Sequence, residues 1–399
     1  MHSEESKKVI VTAVLFSIER RMRVIPPTAL AGPPHSSVST KKKTSTGEVM
    51  FFPQGRDAIS YVCRALGIGL SDCVLAPALI CRSAIDPIIA TGARVQFVEI
   101  AADLDYDQAL LEAAFAQYRP KVLLAVHHFG RRPRLERYRD LCNQFGAVLI
   151  EDCCHSLPSS MDFSADLVGD YAIYSLRKFL PVPDGGMLVC RESRLPLPSV
   201  YGALSFSAYG KFFLQHIGKA LFYSGIHNPY TFRQWRRKLG GRLEASVPDA
   251  LDAESTHVQA FAYGLPQRGA SQFLAKWLDG ENLATVIDKH RHNCRQIAAL
   301  LPSDMLYRPT GDFFDAKSVP VALPIMDLSS EVDLVERLRS FGIGAYAWPG
   351  SDLPTEVRGK YPQAERLALH LVMLPIHYGL TESDLSYVAS VVGKEGSHS

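Results

Sequence analysis

The chain has no apolar run long enough to cross a bilayer. The only such stretch near the start, VIVTAVLF from Val9 to Phe16, is about half the length a spanning helix needs. Glutamates precede it and ERRMR follows, which speaks against a secretory leader and makes Met22 an alternative start. An excess of one charge sign is missing too. The 43 Lys+Arg stand against 41 Asp+Glu, so no general attraction to nucleic acid or acidic membranes is expected. Cysteine follows no pattern: the residues at 63, 73, 81, 142, 153, 154, 190 and 294 include one close pair, Cys153-Cys154, which is neither a metal-ligand spacing nor a disulfide framework. Reduced thiols in a cytoplasmic setting are expected. Internal repeats and low-complexity tracts are absent.

What is present is a long alternation. At 399 residues the chain exceeds the usual size of one core, so a large and a smaller domain are expected. Residues 25–46 are rich in Pro, Ser and Lys and read as irregular. From Phe51 the pattern becomes regular: RDAISYVCRALGIG has helical apolar spacing, VLAPALI reads as a buried strand, and three further helix-and-strand pairs follow, ending with AVLIED. Near-continuous apolar strands separated by single helices predict an α/β fold with a mostly parallel sheet between helices. YAIYSL and GMLVCR are nine residues apart, too close for a crossover helix, which predicts an antiparallel pair and makes the sheet mixed. We expect an irregular N-terminal arm over 1–46, a large domain over 47–200, an aromatic and basic insertion over 201–265, connecting helices over 266–301 and a smaller C-terminal α/β domain over 302–399.

Ligands of open α/β sheets sit beyond the carboxyl ends of the strands, where three segments carry chemistry. In FPQGRDAI, Gly55 lets the chain turn and the amides of Arg56, Asp57 and Ala58 open a helix, an anion site in principle. In VLIEDCCHSL an acidic pair closes a buried strand, which is costly without a partner. Asp152 could hold a protonated heterocyclic nitrogen and His155 could donate to an oxyanion; the alternative is a turn cap beside a structural histidine. In YSLRKFLPVPDGG, Lys178 follows Ser175 at a strand end and is wrapped by prolines and glycines. Partial desolvation there would lower its pKa and leave a nucleophilic amine. The alternative is a lysine reaching to water, with Arg177 its rival for any cationic role. Anion cradle, aspartate and lysine, in that order and about a strand-helix unit apart, are what pyridoxal phosphate (PLP) requires: a seat for the phosphate, a carboxylate for the ring nitrogen and an amine for the aldehyde.

With GRDAI, VLAPALI, GARVQFVEI, HHFG, IEDCCHS, GDYAIYSLRK, DGGMLV and YPQAERLALHLVMLPIHYGLT, the chain resembles the DegT/StrS family of PLP-dependent sugar aminotransferases, of the aspartate aminotransferase (type I) fold, from Phe51 to Val392. The resemblance implies that Lys178 carries the cofactor, six residues before Asp184. It implies that Asp152 pairs with the pyridine nitrogen, Cys154 lies under the ring and His155 lies near the ring's phenolic oxygen. Ser175 and the amides after Gly55 would bind the phosphate, and Cys81 stands where the family usually places a stacking aromatic. A lysine at 178 argues against the family's dehydratase branch. The implied reaction moves an amino group, from glutamate, to a keto sugar, usually nucleotide-linked, in polysaccharide or secondary-metabolite biosynthesis, with active sites at a homodimer interface. Another PLP-dependent reaction, or a non-catalytic regulator on the same fold, is the alternative.

Residues 201–245 mix aromatics such as Phe206, Tyr209, Phe212 and Trp235 with Lys211, Arg233, Arg236 and Arg237. We read this segment as packing on a partner or covering the site, with peripheral membrane contact as the alternative. Trp348, His377 and Tyr378 stand in YAWPG and LPIHYG, and their types leave pocket and core roles equally open.

Overall fold

The computed structural model describes residues 41–43, 47–180, 182, 185–192, 195, 278, 280–303, 315, 317–327 and 334–396. The expectations placed on 1–40, on Asp184 and on 201–265 lie outside these residues.

Eleven strands are described, eight of them in one sheet. In chain order the first part runs β1 (Lys41–Lys43), β2 (Glu48–Phe52), α1 (Gly55–Ala65), β3 (Cys73–Pro77), α2 (Arg82–Ile89), β4 (Arg94–Val98), α3 (Gln108–Tyr118), β5 (Val122–Val126), α4 (Leu135–Phe145), β6 (Val148–Cys153), β7 (Tyr171–Ser175) and β8 (Gly186–Cys190). The strand order is β1-β2-β8-β7-β6-β5-β3-β4. Strands β4, β3, β5, β6 and β7 are parallel to their neighbours, as continuous apolar strands with helical crossovers require. The pair β7-β8 is antiparallel, with Ser175 opposite Gly186, as the short connection predicts.

The amino-terminal edge differs from the expectation. Lys41–Lys43, placed above in an irregular arm, pair antiparallel with β2, and β2 begins before Phe51. All five residues of β2 are buried, so EVMFF carries no polar-apolar alternation to mark it as a strand.

Even where both faces are covered, alternate residues part company. Leu75, Leu123 and Leu149 pack with Leu111 and Phe115 of α3 and Leu135 of α4. Val74, Leu124 and Ile150 pack with Ile59 and Val62 of α1 and Ile85 and Ile88 of α2. Period-two side-chain direction thus sorts one apolar run into two cores, and each such aliphatic contributes roughly 1.5–3 kcal/mol by burial. The helices have local start and stop signals. Asp57 accepts the Gln54 amide at 3.0 Å at the start of α1, Asp107 accepts the Leu110 amide at 3.0 Å at the start of α3, and α4 stops at Gly146 with φ 70°.

The second part contains α5 (Gly280–Leu300), β9 (Ala322–Met326), α6 (Leu334–Ser340), β10 (Tyr346–Ala347), α7 (Pro362–His370), β11 (Leu371–Pro375) and α8 (Glu382–Gly396). Its strands form an antiparallel sheet in the order β10-β11-β9. Two seams join it to the large sheet. Glu99, just past β4, accepts the Gln363 and Ala364 amides at 3.1 and 3.2 Å and so caps α7, while the Tyr361 hydroxyl donates to the Phe97 carbonyl at 3.0 Å. At the other seam the Val321 amide donates to the His155 carbonyl at 3.2 Å. No helix among the described residues is long and apolar enough to cross a membrane.

Candidate active site

The loops after β3, β5, β6 and β7 leave the same edge of the sheet, and β2 delivers the start of α1 there as well. At this edge the structure brings together Gly55, Cys81, Asp152, Cys154, His155, Ser175 and Lys178.

Asp152 is buried, and its Oδ1 accepts the Cys154 amide at 3.0 Å. Its neighbour Glu151, one residue earlier in the strand, is turned to the opposite face. There Oε2 meets His127 Nε2 at 2.9 Å and Oε1 accepts the amides of Val168 and Gly169 at 2.9 and 2.6 Å. Burial pushes the Glu151 carboxyl up, but the bond and charge of His127 and the two amides outweigh it and hold the group below the usual carboxylate range.

Cys154 occupies the centre of the arrangement. Its thiol is pushed well up by burial, further raised by Asp152 and lowered by the Lys178 charge, and Cys81 is also within electrostatic reach. A Cβ on Gly55 would stand 2.8 Å from Cys154 Sγ and 3.7 Å from Ser175 Cβ, so only glycine lets α1 start this close to both strand ends. The intrahelical bonds of α1 begin at once: the Asp57 and Ala58 amides donate to the Gln54 carbonyl at 3.1 and 3.3 Å. Those two amides, expected to serve an anion, are therefore engaged within the helix, and the Asp57 carboxylate is spent on the cap. An anion at this terminus would meet Gly55 and Arg56, whose amides precede the first intrahelical bond.

Lys178 ends a one-turn 3-10 helix, Leu176–Lys178, directly after β7. It is half-buried while Arg177 is exposed, which separates the two cations that stand side by side in sequence. The turn is clamped from below. The Leu176 amide donates to the Gly185 carbonyl at 2.7 Å, and the Gly185 amide to the Pro53 carbonyl at 2.9 Å. A Cβ on Gly186 would collide with the Gln54 carbonyl. The glycine pair after Asp184 thus permits the close approach that ties the Lys178 turn to the start of α1.

Cys81 sits at the start of α2, half-buried, with Sγ 3.0 Å from Ser83 Oγ. His155 is buried, and burial first, then the Lys178 charge and His128, holds its imidazole well below the ordinary histidine range, hence neutral. Its Nδ1 is buried with no hydrogen-bond partner among the described residues. Phe129 and Trp348 flank it, with ring centroids at 5.9 and 4.6 Å. His128, whose Nε2–H donates to the Leu79 carbonyl at 2.7 Å, lies 5.9 Å from the same Trp348 ring. The His127–Glu151 pair and the placement of Trp348 are not apparent from residue types alone; the available signal was HHFG, whose histidines follow a strand end. His377 and Tyr378 follow β11, and the carbonyl of His377 accepts Asn293 Nδ2 at 2.9 Å. All eight cysteines are free thiols.

Residues 41–197 match the model of the DegT/DnrJ/EryC1/StrS aminotransferase family. That match spans less than half of the chain. Among curated relatives, the pleiotropic regulatory protein of Geobacillus stearothermophilus is 27% identical over 148 residues, 35% of this chain and 39% of the relative. The GDP-perosamine synthase of Vibrio cholerae is 28% identical over 138 residues, 34% of this chain and 38% of the relative. The chain therefore spans less than two fifths of the length of these relatives. A solved DegT DnrJ EryC1 StrS aminotransferase from Brucella abortus matches 99% of this chain and 97% of its own with a TM-score of 0.61 at 17% identity, a likeness of fold. The matched segment contains the whole strand-end cluster from Gly55 to Lys178; Trp348 and α7 lie beyond it.

Proposed function

We propose that this protein is a PLP-dependent aminotransferase that passes an amino group, from glutamate, to a keto sugar, nucleotide-linked, in polysaccharide or secondary-metabolite biosynthesis. The observation that carries this reading is the convergence of half-buried Lys178, buried Asp152 and neutral His155 on the edge where the start of α1 comes within contact of Cys154 and Ser175.

The residues fit the cofactor. A Cβ on Gly55 would crowd Cys154 Sγ, so the glycine keeps the start of α1 against that thiol, and His155 Nδ1 is buried with no hydrogen-bond partner among the described residues. Gly55, Arg56 and Ser175 would hold the phosphate, Asp152 the ring nitrogen and His155 the phenolic oxygen, with Cys154 and Cys81 against the ring. When bound, PLP supplies an electron sink for the carbon that bears the migrating amine. Asp152 keeps a positive charge at the ring nitrogen, which its bond to the Cys154 amide leaves one carboxylate oxygen to do. Lys178 Nζ takes the C–H proton from the donor's amino carbon and returns a proton to the acceptor's carbon, at a strand end that limits its exposure to water. A homodimer is part of this reading by family analogy. Peripheral membrane contact through 201–245 is not part of it.

The test is the visible spectrum of the purified protein with PLP, before and after borohydride, beside Lys178→Ala. We expect a visible band in the wild-type protein that borohydride fixes to Lys178 and that the variant lacks, and conversion to pyridoxamine phosphate on adding glutamate. No band at saturating PLP would overturn the reading and favour a regulatory role, the kind named for the Geobacillus relative. A band without a donor requirement for turnover would indicate a different PLP-dependent reaction.

A further inference from the structure

The His155 main chain and its ring are held by different means. The main chain is fixed by hydrogen bonding: its carbonyl accepts the Val321 amide at 3.2 Å, and Ser156 bridges to Pro320. Among the described residues, the ring has no such anchor at Nδ1. A histidine χ2 is a broad, soft torsion, so the plane of this imidazole depends on what packs against it. Two rings do. Phe129 lies nearly parallel to it, at 13° with centroids 5.9 Å apart, and Trp348 meets it at 75° with centroids 4.6 Å apart. Trp348 also meets Phe129 edge-on, 5.2 Å away at 88°, so the three rings brace one another. They come from different parts of the fold. Phe129 follows β5 of the large sheet in a left-handed conformation, φ 57°, whereas Trp348 follows β10 of the C-terminal sheet and is buried.

We propose that Trp348 is a positioning residue for His155. With Phe129 it fixes the imidazole plane, so that His155 is correctly set toward the cofactor only when the C-terminal sheet is docked on the large one. This rests on the PLP reading for its catalytic meaning, but the ring geometry itself does not. The aromatic pairs that set the plane are modest individually and directional together, so the expected signature is a mis-set site rather than an unfolded protein.

The experiment uses the full-length holoenzyme with Trp348→Ala, Trp348→Leu and Trp348→Phe, and follows three quantities: PLP affinity, the position of the visible band, and the 13C–1H signals of the His155 ring in histidine-labelled protein, assigned with His155→Gln. We expect Trp348→Ala and Trp348→Leu to bind PLP on the order of tenfold more weakly, to shift the visible band and to lose the ring-current shift of His155. Trp348→Phe should recover most of each, because an aromatic edge is restored. If Leu performs as well as Phe, or if Ala lowers only the melting temperature while the band and the His155 signals stay put, Trp348 is merely a filler of the core and the proposal fails. Should the wild-type protein take up no PLP, the reading of function fails separately. The contacts of the His155 ring protons with Phe129, read from NOEs in the apoprotein, then decide this proposal, supporting it if they are lost in Trp348→Ala and Trp348→Leu and return in Trp348→Phe and overturning it if they persist in all three.

Discussion

Glu151 and Asp152 are adjacent acids at the end of one buried strand, yet they serve opposite faces of it. On the Glu151 face every strong partner is internal: His127 and two loop amides saturate the carboxylate. On the Asp152 face the carboxylate takes one local amide, the neighbouring imidazole has a nitrogen with no partner among the described residues, and a half-buried lysine stands close by. Buried polar groups are normally satisfied within the protein. The saturated face therefore reads as structural, and the face with valences left over as the one that awaits a ligand.

If that division is sound, changes on the open face should damage chemistry and spare stability, and changes on the closed face should do the reverse. The largest effect expected is from Lys178→Ala, which should lower turnover by roughly 10²–10⁴-fold or more through loss of the acid-base amine, while urea unfolding moves by less than about 1 kcal/mol. Next, Glu151→Ala strands His127 and two amides and should cost about 3–5 kcal/mol in urea unfolding. Glu151→Gln sharpens this through pH. The folded-state pKa of Glu151 lies below the ordinary carboxylate value, so its stabilisation is complete above that ordinary range and is lost as pH falls through the lowered folded value. The wild-type advantage over Glu151→Gln should be widest near neutrality and shrink on acidification. Asp152→Asn keeps an oxygen for the Cys154 amide, so we expect stability within about 1 kcal/mol of wild type and turnover down by about 10²–10³-fold. The smallest effect falls on the seam: Glu99→Ala uncaps α7 and should cost about 1 kcal/mol, measured by thermal unfolding. Equal effects of Glu151 and Asp152 changes on both readouts would break the comparison.

Much of the framework was legible along the chain because it rests on local rules. The helix-strand alternation, the antiparallel β7-β8 pair and the gathering of Asp152 and Lys178 at strand ends all follow from apolar spacing and connection length. The anion cradle was legible only in part. GRDAI marks a helix start, but whether the Asp57 and Ala58 amides face outward depends on the cap, and here the Gln54 carbonyl takes them. Strand β2 was missed because burial on both faces erases alternation.

The order of the motifs, and with it the parallel sheet whose carboxyl edge carries Gly55, Asp152 and Lys178, was determined by the sequence itself, since hydrophobic period and turn chemistry act between near neighbours. Which acid faces the site, which of Arg177 and Lys178 is shielded, and which ring braces His155 were decided only by tertiary structure. Those outcomes turn on strand pairing, on the clamp of Gly185 and Gly186 beneath the lysine, and on the docking of Trp348 from far along the chain. Such contacts are set by packing between distant segments, and residue spacing carries no record of them.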